Sequence, residues 1–224
     1  MPAAPLKETP AAREKLLQAG VKIFALYGYE GASTRQLAKE AGVNISAILY
    51  YFNGKEGYYA AVMEHIAASA KTAMQARIEK IRAGLQRKDL KHAECREFLH
   101  GFIAGLALFL LSEKASAHMG RIFIREQMDP TPAFDKFYET TMRPMHETIT
   151  TLVTKLTGLT GDAAVLCAQA LIGQAVIFKT HREVTLRRTG WKAYGDKETA
   201  KITALLRRNT DAIIDSYEPK GKRS

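Results

Sequence analysis

The sequence predicts an all-α fold, with an N-terminal three-helix domain built on a helix-turn-helix and a larger helical domain after it. Three observations carry this. Apolar residues recur at spacings of three and four through most of the chain, no run alternates as a half-buried strand would, and residues 33–56 place two caps and a glycine turn where a helix-turn-helix needs them.

Residues 11–27 form the first predicted helix, with Leu16, Gly20, Ile23, Phe24 and Tyr27 on one face and Gly28 at its end. The second covers 34–41, opened by Ser33, whose hydroxyl accepts from a free first-turn amide. Leu37, Ala38 and Ala41 face inward. Gly42 ends the helix, because glycine reaches the left-handed conformation that a sharp inter-helix turn needs, and Val43 plugs the angle. Asn44 caps a third helix running from Ile45 to Phe52, with Ile45, Ile48 and Phe52 as its core face. Ser46, Ala47, Tyr50 and Tyr51 then point outward. Small residues let a helix approach base edges, and phenol hydroxyls reach phosphates. Lys55 opens the next helix, where its charge and the free amides suit a phosphate.

That fourth helix extends to Leu85, with Val62, Ile66, Ala70, Met74, Ile78 and Ile81 on one stripe. At about 1.5 Å per residue it is long enough to join two domains and act as a lever between them. Helices follow at 93–112, apolar almost all round, and at 115–128, which stops at Asp129-Pro130-Thr131-Pro132. Another begins at Pro132 or Ala133 and runs to Leu156, bent at Pro144. A helix capped by Thr160 or Asp162 reaches Arg188, and a last one covers 197–216. The expected domains are 11–56 and 57–217, flanked by a Pro/Ala-rich disordered arm at 1–10 and a basic disordered tail at 218–224.

Residues 33–56 resemble the DNA-binding domain of the TetR family of transcriptional regulators. Thr34, Ala38, Ala41, Gly42, Val43, Tyr51, Phe52, Lys55 and Glu56 match that family's pattern, and Phe24, Gly28 and Gly31 extend it. Ser46 stands where glycine is usual, and Leu49 where tyrosine is usual, so that Tyr50 takes over a phosphate contact. The DNA-binding set read from this stretch is Thr34, Arg35, Asn44, Ser46, Ala47, Tyr50, Tyr51 and Lys55. Arg35 is the leading base reader, since a guanidinium bonds guanine at two points.

The chain has 224 residues, 46% of them hydrophobic and 25% charged, as in a soluble globular protein with a sizeable core. Its net charge of +10 suits an anionic partner, yet residues 1–60 carry only +2 of it. Charge alone therefore does not locate a nucleic-acid surface. Cys95 and Cys167 read as free thiols in a reducing compartment, and the most apolar run, 101–111, is about half a membrane span, so no membrane partner is expected and the cytoplasm is the default. No nucleophile elbow or phosphate-binding glycine loop is present, which argues against an enzyme. His92 and Cys95, with Glu97 and His100 beyond them, have ligand-like spacing but no second cluster to complete a zinc site, so neither metal nor cofactor is expected.

In the second domain an apolar pocket for a small-molecule effector is the functional alternative to plain core. Its candidate lining is Phe98, Phe102, Phe109, His118, Ile122, Arg125, Phe134, Phe137, Met145 and Phe178. Residues 125–134 and 143–147 resemble the C-terminal domain of the CecR-like subgroup of the same family. That resemblance implies a ligand-released repressor of transport or drug-sensitivity genes. The small-residue face of 162–188 and the amphipathic 197–216 suit a homodimer on a two-fold symmetric DNA operator. A helical adaptor that keeps the fold without operator specificity is the alternative, and the mild charge of the N-terminal domain favours it.

Overall fold

A computed structural model describes residues 10–112 and 117–217, so the expected terminal arm and tail lie outside the described residues except for Pro10. Among the described residues the elements are helical: α1 (Pro10–Gly31), α2 (Thr34–Ala41), α3 (Ser46–Phe52), α4 (Lys55–Leu85), α5 (His92–Leu111), α6 (Ala117–Met128), α7 (Pro132–Phe137), α8 (Arg143–Thr157), α9 (Gly161–Thr180), α10 (Arg182–Thr189) and α11 (Asp196–Tyr217). They fall into two compact units. One comprises α1–α3, α4 up to residue 70, α6, α7 and Tyr138. The other comprises the rest of α4, α5 and α8–α11. The first unit thus takes in α6 and α7 as well as the helix-turn-helix.

In the first unit α1 packs against α2 and α6. Its helical dihedrals break at Gly28 (φ 74°), where the apolar face ends. The core is an aromatic cluster. Tyr58 is fully buried, stacks on Phe52 at 4.5 Å and 3°, and donates its hydroxyl to the Leu16 carbonyl, so one side chain joins α1, α3 and α4. Phe24 meets Tyr58 and Tyr59 edge-on at 5.7 and 4.8 Å. The turn between α3 and α4 is tight because of Gly57: a Cβ there would lie 1.9 Å from the Phe52 carbonyl oxygen. Only glycine fits without moving backbone.

In the second unit α5 is central, packed against α8, α9 and α11. Leu99, Phe102, Ile103, Leu106 and Ala107 bury there with Leu152, Val153, Leu171, Ile172 and Leu206. Its polar edge is organised too. His100, almost fully buried, places Nε2 2.8 Å from Asp211 Oδ1, while Arg96 Nη1 meets Asp211 at 3.0 Å and Asp215 at 2.6 Å, tying α5 to α11. Cys95 and Cys167 are buried free thiols, and burial pushes both above the usual thiol range.

Two predicted helices are interrupted. The helix expected over 132–156 widens into a π-helical turn at Tyr138–Met142 just before Pro144. Proline has no amide to donate, and its ring presses on the carbonyl four residues back, which the wider turn relieves. The helix expected up to Arg188 breaks at His181 (φ −106°, ψ 29°), where the Thr180 hydroxyl bonds back to the Val176 and Ile177 carbonyls.

Gly57→Ala is expected to destabilise the first unit by at least about 2 kcal/mol, because the clash is with backbone and not with a mobile side-chain end. A thermal melt followed by circular dichroism checks this, and an unchanged midpoint would contradict the packing described.

Candidate nucleic-acid interface

The interface is built on α2 and the turn after it. The Gln36 amide donates to Ser33 Oγ at 3.2 Å, and the Ser33 amide donates to Gln36 Oε1 at 2.9 Å, a reciprocal capping box. Gly42 closes α2 in the left-handed conformation (φ 66°, ψ 34°), and the Val43 amide returns to the Ala38 carbonyl at 3.0 Å. Asn44 Oδ1 then accepts from both the amide and the hydroxyl of Ser46, each at 2.9 Å. This fixes where α3 begins.

With its start fixed there, α3 buries Ala47, Ile48 and Phe52 and leaves Tyr51 half-buried. Ser46, Leu49 and Tyr50 face out with Asn44 and Ile45. Two expectations are corrected. Ala47 is 1% exposed and belongs to the core, while Ile45, expected inside, is 48% exposed. The inward face follows the order i, i+1, i+4, i+5 from residue 47, so Ile45 lies off it. Leu49, which stands where the family pattern has tyrosine, is 66% exposed.

The other predicted contacts are distributed around α3. Arg35 is exposed and Thr34 half-buried on the first turn of α2. Tyr50 and Tyr51 meet edge-on at 5.0 Å, but the Tyr51 hydroxyl is buried and lacks a hydrogen-bond partner among the described residues. Lys55, at the start of α4, donates to the Glu30 carbonyl at 3.2 Å and lies 4.6 Å over the Tyr29 ring. That uses one of its three N–H donors and holds its charge at the end of α1.

The candidate effector residues divide between the two units. In the first, Ile122 and Phe137 are buried, with His118, Arg125 and Phe134 half-buried; the Arg125 guanidinium lies across Gly28, where a Cβ would meet Nη1 at 2.0 Å. In the second, Phe102 is core, and Phe98, Phe109, Met145 and Phe178 are half-buried. Sequence reasoning missed the partner of Glu126. This buried carboxylate accepts the Tyr59 hydroxyl at 2.5 Å and the Thr131 amide at 3.1 Å, fastening the α6–α7 connection to α4. No His, Cys, Asp or Glu side chains converge in threes to hold a metal among the described residues.

The chain matches two family models. Residues 16–62 match the model described as bacterial regulatory proteins, tetR family, and residues 95–216 match the C-terminal domain of the HTH-type transcriptional dual regulator CecR. It is 30% identical over 211 residues to the dual regulator CecR of Shigella flexneri, covering 93% of this chain and 94% of that protein. Over 54 residues it is 41% identical to YttP, a probable HTH-type regulator of Bacillus subtilis, 24% of each chain. Among solved structures it is similar to AibR in complex with isovaleryl coenzyme A and operator DNA (TM-score 0.64, 12% identity, 88% of this chain and 96% of that one). A TetR-like regulator from Rhodococcus sp. RHA1 also shares the fold (TM-score 0.56, 18% identity, 91% and 96%).

Burial pushes the phenols of Tyr58 and Tyr59 above their usual value of 10.0, and for Tyr59 the hydrogen bond to Glu126 adds to the rise. Their contribution to stability is complete below pH 10, where folded and unfolded chains both keep the protons, and is lost as pH rises through the folded values. Denaturant titrations across pH 8–12 are expected to give a plateau and then a fall above pH 10. Tyr59→Phe should make that fall shallower by about one proton's slope.

Proposed function

The chain belongs to the TetR family of bacterial transcriptional regulators, and from that membership we propose that it is a ligand-released repressor that binds a palindromic operator as a homodimer in the cytoplasm. The observation that carries the operator reading is the α3 surface, fixed by the Ser33 capping box, the Gly42 turn and Asn44, with Ser46 and Tyr50 turned out of the core. Arg35 reads base edges beside them. Tyr50, Thr34 and Lys55 hold the backbone phosphates. Tyr51 joins that set only if its ring turns to free the hydroxyl, and Ala47 supports the reading helix from within.

Homodimerisation is supported by α9, whose second face lacks a cover among the described residues. Leu166, 68% exposed, is followed at helical spacing by Ala170, Gly173 and Ile177, and Val184 on α10 is 57% exposed. A second copy of the same face covers this stripe and sets the spacing of two half-sites. The effector is a small molecule held among the half-buried aromatics of the second unit, Phe98, Phe109 and Phe178 with Met145. It releases DNA by favouring one of two states, and α4, continuous from Lys55 to Leu85, is an element that both units share. Transport or drug-sensitivity genes are the proposed targets, as the resemblance of residues 125–134 and 143–147 implies.

The test is binding of the purified chain to fragments of its own upstream region across a salt series. Saturable binding to one palindrome is expected, falling steeply with salt as released counterions require. Arg35→Ala should cost about 1–3 kcal/mol per half-site. Weak binding to every fragment, unchanged in the variant, would overturn the operator reading. Leu166→Glu is expected to give a folded monomer by sedimentation with operator binding largely lost; a dimer of unchanged strength would remove α9 from the interface.

A further inference from the structure

Ile45 and Leu49 stand one helical turn apart on the outward face of α3, about half and two thirds exposed. The inward face is completed by Ala47, Ile48 and Phe52, so neither large aliphatic side chain is needed to close the core. With that inward face closed, the isoleucine just before the helix and the leucine within it carry apolar surface outward, where it gains nothing in the free protein.

The surroundings identify the occupant. Ser46 and Tyr50 flank the pair with hydroxyls, and α2, which packs against α3, carries the exposed Arg35 and Lys39. Their positive charge suits a phosphate backbone. Ile45 stands at the start of α3, and the start of a recognition helix is the part that meets base edges. On the major-groove floor the aliphatic group of a base is the thymine 5-methyl, whereas cytosine presents an N4 donor that neither side chain could satisfy.

We propose that Ile45 and Leu49 form an apolar clasp for thymine methyl groups and thereby specify thymine in each half-site. This rests on the operator reading above. Specificity here comes from two terms of the same sign: methyl burial favours thymine, and the stranded donor disfavours cytosine.

The experiment selects bound duplexes from a random library with the full chain. It then replaces each thymine of the selected site in turn by deoxyuridine, which deletes only the methyl group. At one or two positions per half-site the replacement should weaken binding about fourfold, and about fifteenfold when both half-sites are changed together. Leu49→Ala, an exposed substitution that leaves the core untouched, should bind the thymine and deoxyuridine duplexes alike at the position Leu49 covers. Equal binding of all deoxyuridine duplexes by the natural chain would overturn the clasp, as would a Leu49→Ala variant with undiminished methyl sensitivity at every position. Failure to select any sequence would instead overturn the operator reading itself.

Discussion

The position of α3 depends on Tyr58. Its ring stacks on Phe52, the last residue of α3, and its hydroxyl reaches the Leu16 carbonyl on α1. A helix of seven residues has almost no stability of its own, because nucleation fixes several dihedrals for each hydrogen bond gained. Its direction must therefore come from tertiary contacts. The stacked pair adds about 0.5–1.5 kcal/mol beyond simple burial, and the geometry it imposes matters more than that energy. Gly57 is part of the same constraint, since the stack forms only if α4 starts within van der Waals reach of the Phe52 carbonyl.

The second unit solves a different problem. Its central α5 is enclosed by α8, α9 and α11, so α5 needs no special device beyond its apolar surface. The charged edge between α5 and α11 adds register more than stability. His100 and Arg96 share Asp211, and a one-turn slip of α11 would strand a buried imidazole. In α9 one face goes to this core and the other stays apolar. By length and composition that helix would pass as a membrane span, although a third of its most apolar stretch is buried. A stripe that sets Ala170 and Gly173 between Leu166 and Ile177, uncovered among the described residues, fits a self-complementary contact, because the two small residues let backbones approach closely.

The sequence made the local devices legible and the rotational ones illegible. The Ser33 cap, Gly42 and the 34–41 helix can be read from residue order because each acts within four residues. The facing of α3 could not be read that way. Ile45 fits an inward stripe as well as Ala47 does, and the choice is made by the Asn44–Ser46 bonds together with the pull of Phe52 into the Tyr58 stack. Tyr59 and Glu126 are 67 residues apart, so no local pattern pairs them. The π turn before Pro144 carried a visible cause, but the break at His181 carried none beyond a β-branched threonine.

Folding and recognition at α3 are consequently separable. The face that is held in the domain uses Ala47, Ile48 and Phe52, and the face proposed to meet DNA uses the exposed Ile45, Ser46, Leu49 and Tyr50, with no residue shared between them. Outward substitutions can then alter what is read without disturbing how the helix is held, since α3 borrows its direction from α1 and α4. Substitutions at Phe52, Gly57 or Tyr58 act in the opposite way: they leave every contacting side chain in place and remove the frame that aims it.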